Sequence, residues 1–298
     1  MGKCCQMVMG PAGTGKSTYC HTMQEHCANA RRRVLVANLD PAAEGFDYEV
    51  VALDIRDLIS VTDVMEELEL GPNGALVYCM EYLLDNMEWL QEELGEFDDE
   101  DYIIFDCPGQ VELYSHIPVM RQVLDQVRLW GYQVCGVFTL DATFMTDASK
   151  FISGTLLCLS AMVQLEVPHI NVLTKCDLVD REELDRFLEV DTASLLQLHD
   201  RACGAGGGYG GDLSRELNDR AEGREVRTAT LPKQARLTAA IAAIIDDYTM
   251  VNYIPLDIND EESIGLVMQH ADHTIQYGED LEPKEPCDEV EEEEEEAG

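Results

Sequence analysis

Hydrophobic positions along this chain fall into two alternating patterns. Short apolar runs read as strands at Cys4–Met9, Arg33–Leu39, Tyr102–Phe105, Val134–Leu140 and His169–Leu173. Between them, apolar residues recur at helical spacing over Lys16–Cys27, Ile55–Leu68, Ala75–Leu94, Pro118–Leu129 and Ala148–Leu165. In Ala75–Leu94 the stripe is Leu76, Met80, Leu83, Leu84, Met87 and Leu90, which serves either a core or an interface. A late strand-like segment spans Asn252–Ile258. Strands that alternate with helices predict an α/β fold with a mostly parallel sheet flanked by helices on both faces. The near-continuous apolar strands suit a sheet buried on both sides.

Two segments break the alternation. Cys203–Asp212 is glycine-rich and reads as a surface loop. Beyond Gly278 the chain turns acidic and ends in Glu291–Glu296. Like charges at that density repel, so the expected organisation is one domain over 1–278 and a disordered acidic tail over 279–298.

Composition narrows the function classes. The 298 residues, 46% of them apolar, suffice for a sizeable core. The formal net charge is −39, from 20 Lys+Arg against 59 Asp+Glu. Coating nucleic acid needs the opposite balance, because Lys and Arg must replace counterions on phosphates. The same charge disfavours anionic membranes and favours basic protein surfaces. The 11 cysteines form no CxxC pair and do not cluster with histidine, so free buried thiols are expected rather than a zinc site. A strand begins almost at the first residue, which predicts no secretory leader. No apolar run approaches the roughly 20 residues of a membrane span. The expected location is cytoplasmic or nuclear.

The chemistry is concentrated in short motifs at strand ends. Gly10-Pro-Ala-Gly13-Thr14-Gly15-Lys16-Ser17 fits the GxxxxGK[ST] phosphate loop, between an apolar strand and a helical pattern, with Thr18 following. The glycines let backbone N–H groups turn inward on phosphate oxygens, and the helix start adds its positive dipole end. Lys16 supplies charge to the phosphates, and the Ser17 hydroxyl is a magnesium ligand. Asp106, at the end of a strand and opening Asp106-Cys-Pro-Gly109-Gln110, is a candidate for holding a metal-bound water. Gly109 would then offer its N–H to the terminal phosphate, and Gln110 would orient the attacking water. Asp40 ends the second strand and reads as a further metal-site carboxylate or as a turn residue before Pro41. Glu112 either supports water activation or is a helix-start carboxylate.

A base-reading motif follows later in the chain. Thr174-Lys175-Cys176-Asp177 is similar to the Asn-Lys-x-Asp signature of GTPases, with Thr174 in place of Asn. A carboxylate at Asp177 can accept both hydrogen bonds offered by the guanine N1–H and N2 amino group, a donor pair that adenine lacks. Lys175 would lie over the base and ribose. The backbone near Pro255-Leu256 is a further candidate for contacting the base. GTP or GDP with Mg²⁺ is therefore the expected ligand.

With Asn38-Leu-Asp40-Pro41-Ala42 and Gly71-Pro72-Asn73-Gly74 added to these motifs, the chain resembles the GPN-loop GTPase family, in its eukaryotic GPN-loop GTPase 3 branch. The resemblance runs from Met1 to about Tyr277. It implies a P-loop fold with extra helices and a dimer, either with itself or with a paralogous GPN-loop GTPase. It also implies that Asn73 of one subunit reaches the phosphate region of the other. The clients it implies are RNA polymerase II subunits, in assembly and nuclear import. By itself Gly71–Gly74 reads as a turn between two helices. A side-chain amide at Asn73 would meet an anionic oxygen without burying another charge, in a chain with no evident arginine finger.

Two other readings compete with a GTPase switch. One is a small-molecule or polynucleotide kinase on the same loop, against which the scarcity of Lys and Arg weighs. The other is a nucleotide-gated assembly scaffold with little hydrolysis.

Overall fold

A computed structural model describes residues 3–46, 48, 51–97, 101–146, 148–180, 184 and 252–278. The glycine-rich Cys203–Asp212 and the acidic 279–298 lie outside the described residues.

Seven strands form one sheet: β1 (Lys3–Met9), β2 (Val34–Asn38), β3 (Val51–Asp54), β4 (Tyr102–Asp106), β5 (Tyr132–Asp141), β6 (His169–Thr174) and β7 (Tyr253–Pro255). They lie in the order β3-β2-β4-β1-β5-β6-β7, and every pairing is parallel. The helices are α1 (Lys16–Asn29), α2 (Val61–Leu68), α3 (Pro72–Asp85), α4 (Met87–Leu94), α5 (Glu112–Ser115), α6 (Val119–Leu129), α7 (Ala148–Leu165) and, after the undescribed stretch, α8 (Glu261–Thr274).

Alternation along the strands builds two cores. On one face Val8, Val36, Ile104 and Val137 pack against Tyr19, Cys20 and Met23 of α1 and Val267 and Met268 of α8. On the other, Met7, Met9, Phe105 and Phe138 pack against the second set of helices: Leu76, Met80 and Leu83 of α3, Val123 and Leu124 of α6, and Ala161 of α7. A polar cluster lies inside the first core. Gln6 donates from Nε2 to the Tyr102 hydroxyl (2.8 Å) and accepts from the Tyr19 hydroxyl (2.8 Å), so its buried amide keeps partners. Eight of the nine described cysteines are buried, and all nine are free thiols.

The structure differs from the sequence reading in three places. First, β3 occupies Val51–Asp54, where no strand is expected. It is a four-residue strand at the sheet edge, too short for a distinct alternation. It runs straight into a 3₁₀ turn at Ile55–Asp57, so the helix predicted from Ile55 begins only at Val61, capped by Ser60. Second, Ala75–Leu94 is two helices, broken at Asn86, whose amide donates back to the Tyr82 carbonyl (2.8 Å). Third, Gly71-Pro72-Asn73-Gly74 is the first turn of α3 rather than a loop. Gly71 is the N-cap and Pro72 the first helical residue, where its missing N–H costs nothing. The buried stripe of α3 and α4 (Ala75, Leu76, Cys79, Met80, Leu83, Leu90, Leu94) is core.

His169, at the start of β6, is pressed against Gly136, where an added Cβ would stand 2.7 Å from its Nδ1. Both ring nitrogens are buried, and burial lowers its pKa to about 4. The neutral ring is thus favoured in the fold, whereas the unfolded chain takes up a proton below about 6.5. This contribution to stability is complete above pH 6.5 and is lost as the pH falls toward 4, a gap worth roughly 3 kcal/mol. Urea unfolding across that window should show the loss in the native protein and a distinctly smaller slope in His169→Gln.

Candidate functional site

The site lies where the chain leaves β1 toward one side of the sheet and β4 toward the other, at the carboxyl ends of the strands. In parallel α/β sheets this switch point is where ligands bind. Register brings the motifs together. Asp106 pairs with Val8 of β1 and Asn38 of β2, so the ends of β1, β2 and β4 are level. Asp141 pairs with Thr174, which levels the ends of β5 and β6.

Between β1 and α1 the backbone curls through Gly10 (φ 144°), Gly13 (φ 78°) and Gly15 (φ 83°), conformations that strain any side chain. Gly15 caps α1 with no side-chain hydrogen bond, and the first helical bond is from Tyr19 N–H to the Gly15 carbonyl (2.8 Å). The N–H groups of Gly15, Lys16, Ser17 and Thr18 therefore precede the helical ladder, and they stand at its positive end. The Thr18 side chain itself is exposed. Lys16 is buried and its Nζ donates to the carbonyls of Gly10 and Pro11 (3.2 Å each). Burial lowers its pKa, opposed by the charges of Asp106 and Asp40.

The corner around Ser17 and Asp106 is compact. Ser17 Oγ donates to Asp106 Oδ2 at 2.6 Å, and the Tyr48 hydroxyl donates to the same oxygen. Burial pushes the Asp106 carboxyl above its ordinary range, while Ser17, Tyr48 and Lys16 pull it back. Asp40 is raised in the same way by burial, against the Ala42 N–H and Lys16. Of the two readings the sequence left open for Asp40, the structure shows the turn residue: its Oδ1 accepts from Ala42 N–H (2.9 Å), and its charge reaches Lys16. Asn38 fixes the turn, accepting from Asp40 N–H (2.9 Å) and donating to Asp54 Oδ1 (2.9 Å). Ser17, Asp106 and Asp40 offer hard oxygen donors, the set that suits magnesium. Among the described residues no cluster of three or more His, Cys, Asp or Glu is placed to hold a metal ion, so any ion here relies on the hydroxyl and the nucleotide as well.

Gly109 lies directly against the loop. A Cβ there would stand 2.9 Å from Ala12 Cα and 3.2 Å from Lys16 Nζ. Gln110, beside it, is half-buried, and Glu112 is exposed at the start of α5. Asn73 is exposed on the first turn of α3, with no side-chain hydrogen bond among the described residues.

The Thr174–Asp177 motif is tied to the loop. Thr174 Oγ1 donates to the Thr14 carbonyl (2.5 Å), with the Leu140 carbonyl at 3.2 Å as an alternative acceptor. Lys175, in the left-handed region at φ 58°, sends its Nζ to the Gly13 carbonyl (2.7 Å) and to Asp141 Oδ2 (2.8 Å). Burial raises the Asp141 carboxyl, but Lys175 and the hydrogen bonds from Thr143 together outweigh it and hold the carboxyl below the usual range. Asp177 is exposed on the 3₁₀ turn Cys176–Leu178 and borders a cavity of about 540 Å³ that Cys176, Pro255 and Asp257 also line. That volume is in the range of small-molecule sites. Leu256 is held beside it, donating to the Leu173 carbonyl (2.7 Å) and accepting from Cys176 N–H (3.4 Å). Tyr48, Thr139 and Asp141 belong to the site but to no sequence motif. Thr139 donates to the Met9 carbonyl (3.1 Å) and stands 2.8 Å from Thr14 Oγ1, locking the loop onto β5.

These features define a P-loop nucleotide-binding protein with a second corner, at Thr174–Asp177, tied to the loop and bordering a cavity. The sequence model of a family described as "Conserved hypothetical ATP binding protein" matches residues 8–277. Relatives named GPN-loop GTPase 3 are similar over nearly the whole chain. The one from Dictyostelium discoideum is 50% identical over 96% of this chain and 92% of its own. The one from Saccharomyces cerevisiae is 45% identical over 97% and 98%. A crystal structure of a GTPase in apo form from Pyrococcus abyssi has the same fold, with a TM-score of 0.66 at 20% identity, over 91% of this chain and 96% of that one. The chain belongs to the GPN-loop GTPase family.

Gly109→Ala should displace the loop by overpacking, a cost of about 1–3 kcal/mol that falls on the phosphate site. Titration with a fluorescent guanine nucleotide should show affinity reduced about 10-fold or more, with the thermal unfolding midpoint lowered by about a few degrees.

Proposed function

We propose that this protein binds GTP with magnesium and hydrolyses it, acting as a dimer whose state follows the nucleotide. The observation that carries the reading is the Ser17–Asp106 contact of 2.6 Å beside the buried Lys16, at a helix start whose N–H groups no side chain caps. A phosphate chain with a hard cation matches that combination of donors, acceptors and charge.

Ser17, Asp106 and Asp40 would hold the magnesium, directly or through water. When bound, the ion neutralises phosphate charge and so lowers the barrier to its transfer. Lys16 adds a positive charge beside the phosphates. Gly109 allows the loop after β4 to approach them, and Gln110, one residue on, orients the attacking water. The exposed Glu112 supports that water only from a distance, and its place at the start of α5 fits a helix-start carboxylate equally well. Asp177 accepts the two guanine donors. Thr174 and Lys175 keep that corner at a fixed distance from the phosphate loop through the Thr14 and Gly13 carbonyls.

Asn73 completes the reading. It is exposed on the first turn of α3 and free of side-chain hydrogen bonds among the described residues, so its amide is available to a second subunit. We place it at the phosphates of a partner, a second copy or a paralogue, where an amide donor stabilises developing charge. Family membership favours water as the phosphoryl acceptor over the substrate of a kinase. RNA polymerase II subunits as clients, and the cytoplasm with passage to the nucleus as location, complete the proposal; their support is membership of the family.

Calorimetric titration with magnesium present should show GTP preferred over ATP. Asp177→Ala should weaken GTP about 100-fold or more while ATP changes little, because two hydrogen bonds to a charged group are lost. Equal affinity of the native protein for the two nucleotides would refute the guanine assignment. Asn73→Ala should leave GTP affinity intact and lower turnover by about 100-fold, the usual worth of one donor to a transition-state oxygen. Unchanged turnover in that variant would remove Asn73 from the mechanism.

A further inference from the structure

Tyr48 stands out among the groups not yet given a role. Its ring is buried and stacks on Phe46 with centroids 5.2 Å apart. Its hydroxyl donates to Asp106 Oδ2, which already accepts from Ser17 at 2.6 Å. A carboxylate oxygen has two lone-pair sites, so these two donors leave none on Oδ2 for a cation. The same neighbourhood is anchored from behind. Arg56 Nη1 donates to the Ala43 carbonyl (3.0 Å), its guanidinium lies 4.4 Å from the Phe46 ring centroid, and Asp54 pairs with it at 2.6 Å. Asp54 in turn accepts from Asn38, which fixes the turn at Asp40. None of these rear contacts uses an oxygen of the Ser17–Asp106 pair. Phe46 therefore keeps its anchor whether or not Tyr48 donates to Asp106.

We propose that Tyr48 is a positioning residue for Asp106 whose hydroxyl competes with magnesium for the same carboxylate oxygen, so that Tyr48 is displaced when the magnesium-nucleotide binds. The proposal rests on the reading of this pocket as a magnesium–nucleotide site. It makes Tyr48 a reporter of occupancy: metal entry exchanges one hydroxyl donor for a cation, and the Phe46–Tyr48 stack adjusts about the Arg56 anchor. It also sets the metal requirement, because the ion must replace a hydrogen bond to a charged group rather than meet a free carboxylate.

Tyr48→Phe keeps the ring and its stack and removes only the competing donor. The test is binding of a fluorescent GDP analogue to the full chain, titrated with magnesium and repeated in chelator. In the variant the half-saturating magnesium concentration should fall about 10-fold, the worth of one such hydrogen bond. Binding in chelator should change by less than about 2-fold, which a general loss of structure would not spare. A second readout is the near-ultraviolet tyrosine difference spectrum on adding magnesium to the GDP-bound protein. It should appear in the native chain and be diminished in Tyr48→Phe. Magnesium-dependent binding of the native protein with an unshifted requirement in the variant overturns the competition alone. Binding of the native protein that ignores magnesium overturns both this inference and the reading of the site on which it rests.

Discussion

The structure depends on keeping a strained backbone curl rigid between β1 and α1. Three glycines at positive φ give the curl its shape, yet glycine contributes no side chain to hold it there. The restraint comes from neighbours. Thr139 grips the Met9 carbonyl, Thr174 the Thr14 carbonyl and Lys175 the Gly13 carbonyl. Each clamp takes up a carbonyl of the strand end or the loop and leaves the N–H groups at the start of α1 for an anion. Preorganisation of this kind matters because donors already aimed at a charge need no reorganisation when it arrives.

The same clamps join the two halves of the site. The Ser17–Asp106 corner, proposed to hold the metal, sits at the ends of β1, β2 and β4, and the Thr174–Asp177 corner, proposed to read the base, at the ends of β5 and β6. A parallel sheet in matched register sets them at a fixed separation, as a ligand with phosphates at one end and a base at the other requires. Thr174 stands where the GTPase signature has Asn, and its hydroxyl reaches the loop at the Thr14 carbonyl at 2.5 Å. Asp141 then takes the second bond of Lys175, so the lysine's stem is held between the loop and β5.

Much of this was legible in the sequence because the information is local. Phosphate loops, strand-end aspartates and the Thr-Lys-x-Asp corner act through backbone geometry within a few residues, and the structure brings Lys16, Ser17, Asp40 and Asp106 together as their spacing implied. The alternation of apolar runs and helical stripes also sufficed for the sheet and both of its layers. What escaped was set by contacts distant in the chain. Strand β3 is four residues long, and Val51–Asp54 becomes a strand only because β2 offers it an edge. Proline and glycine make Gly71–Gly74 look like a turn, yet proline is equally at home as the first residue of a helix. Thr139, Asp141 and Tyr48 carry no signature, since their partners lie between 34 and 130 residues away.

Charge adds a last constraint. Lys16 is a buried cation facing Asp106 and Asp40, both held above their ordinary range by burial. Adding a nucleotide's phosphates to such a pocket brings more negative charge than one lysine and a helix dipole offset. The proposed magnesium would resolve the imbalance by sharing the carboxylate and hydroxyl oxygens with the phosphates. The carboxylates thus make the phosphate chain costly to hold alone and favourable to hold with its metal. A site built this way would favour the metal-bound nucleotide that we propose as its ligand. The role we propose for the neutral Asn73 fits the same logic: an amide would add a donor for a phosphate oxygen without altering the charge balance between the carboxylates and the ion.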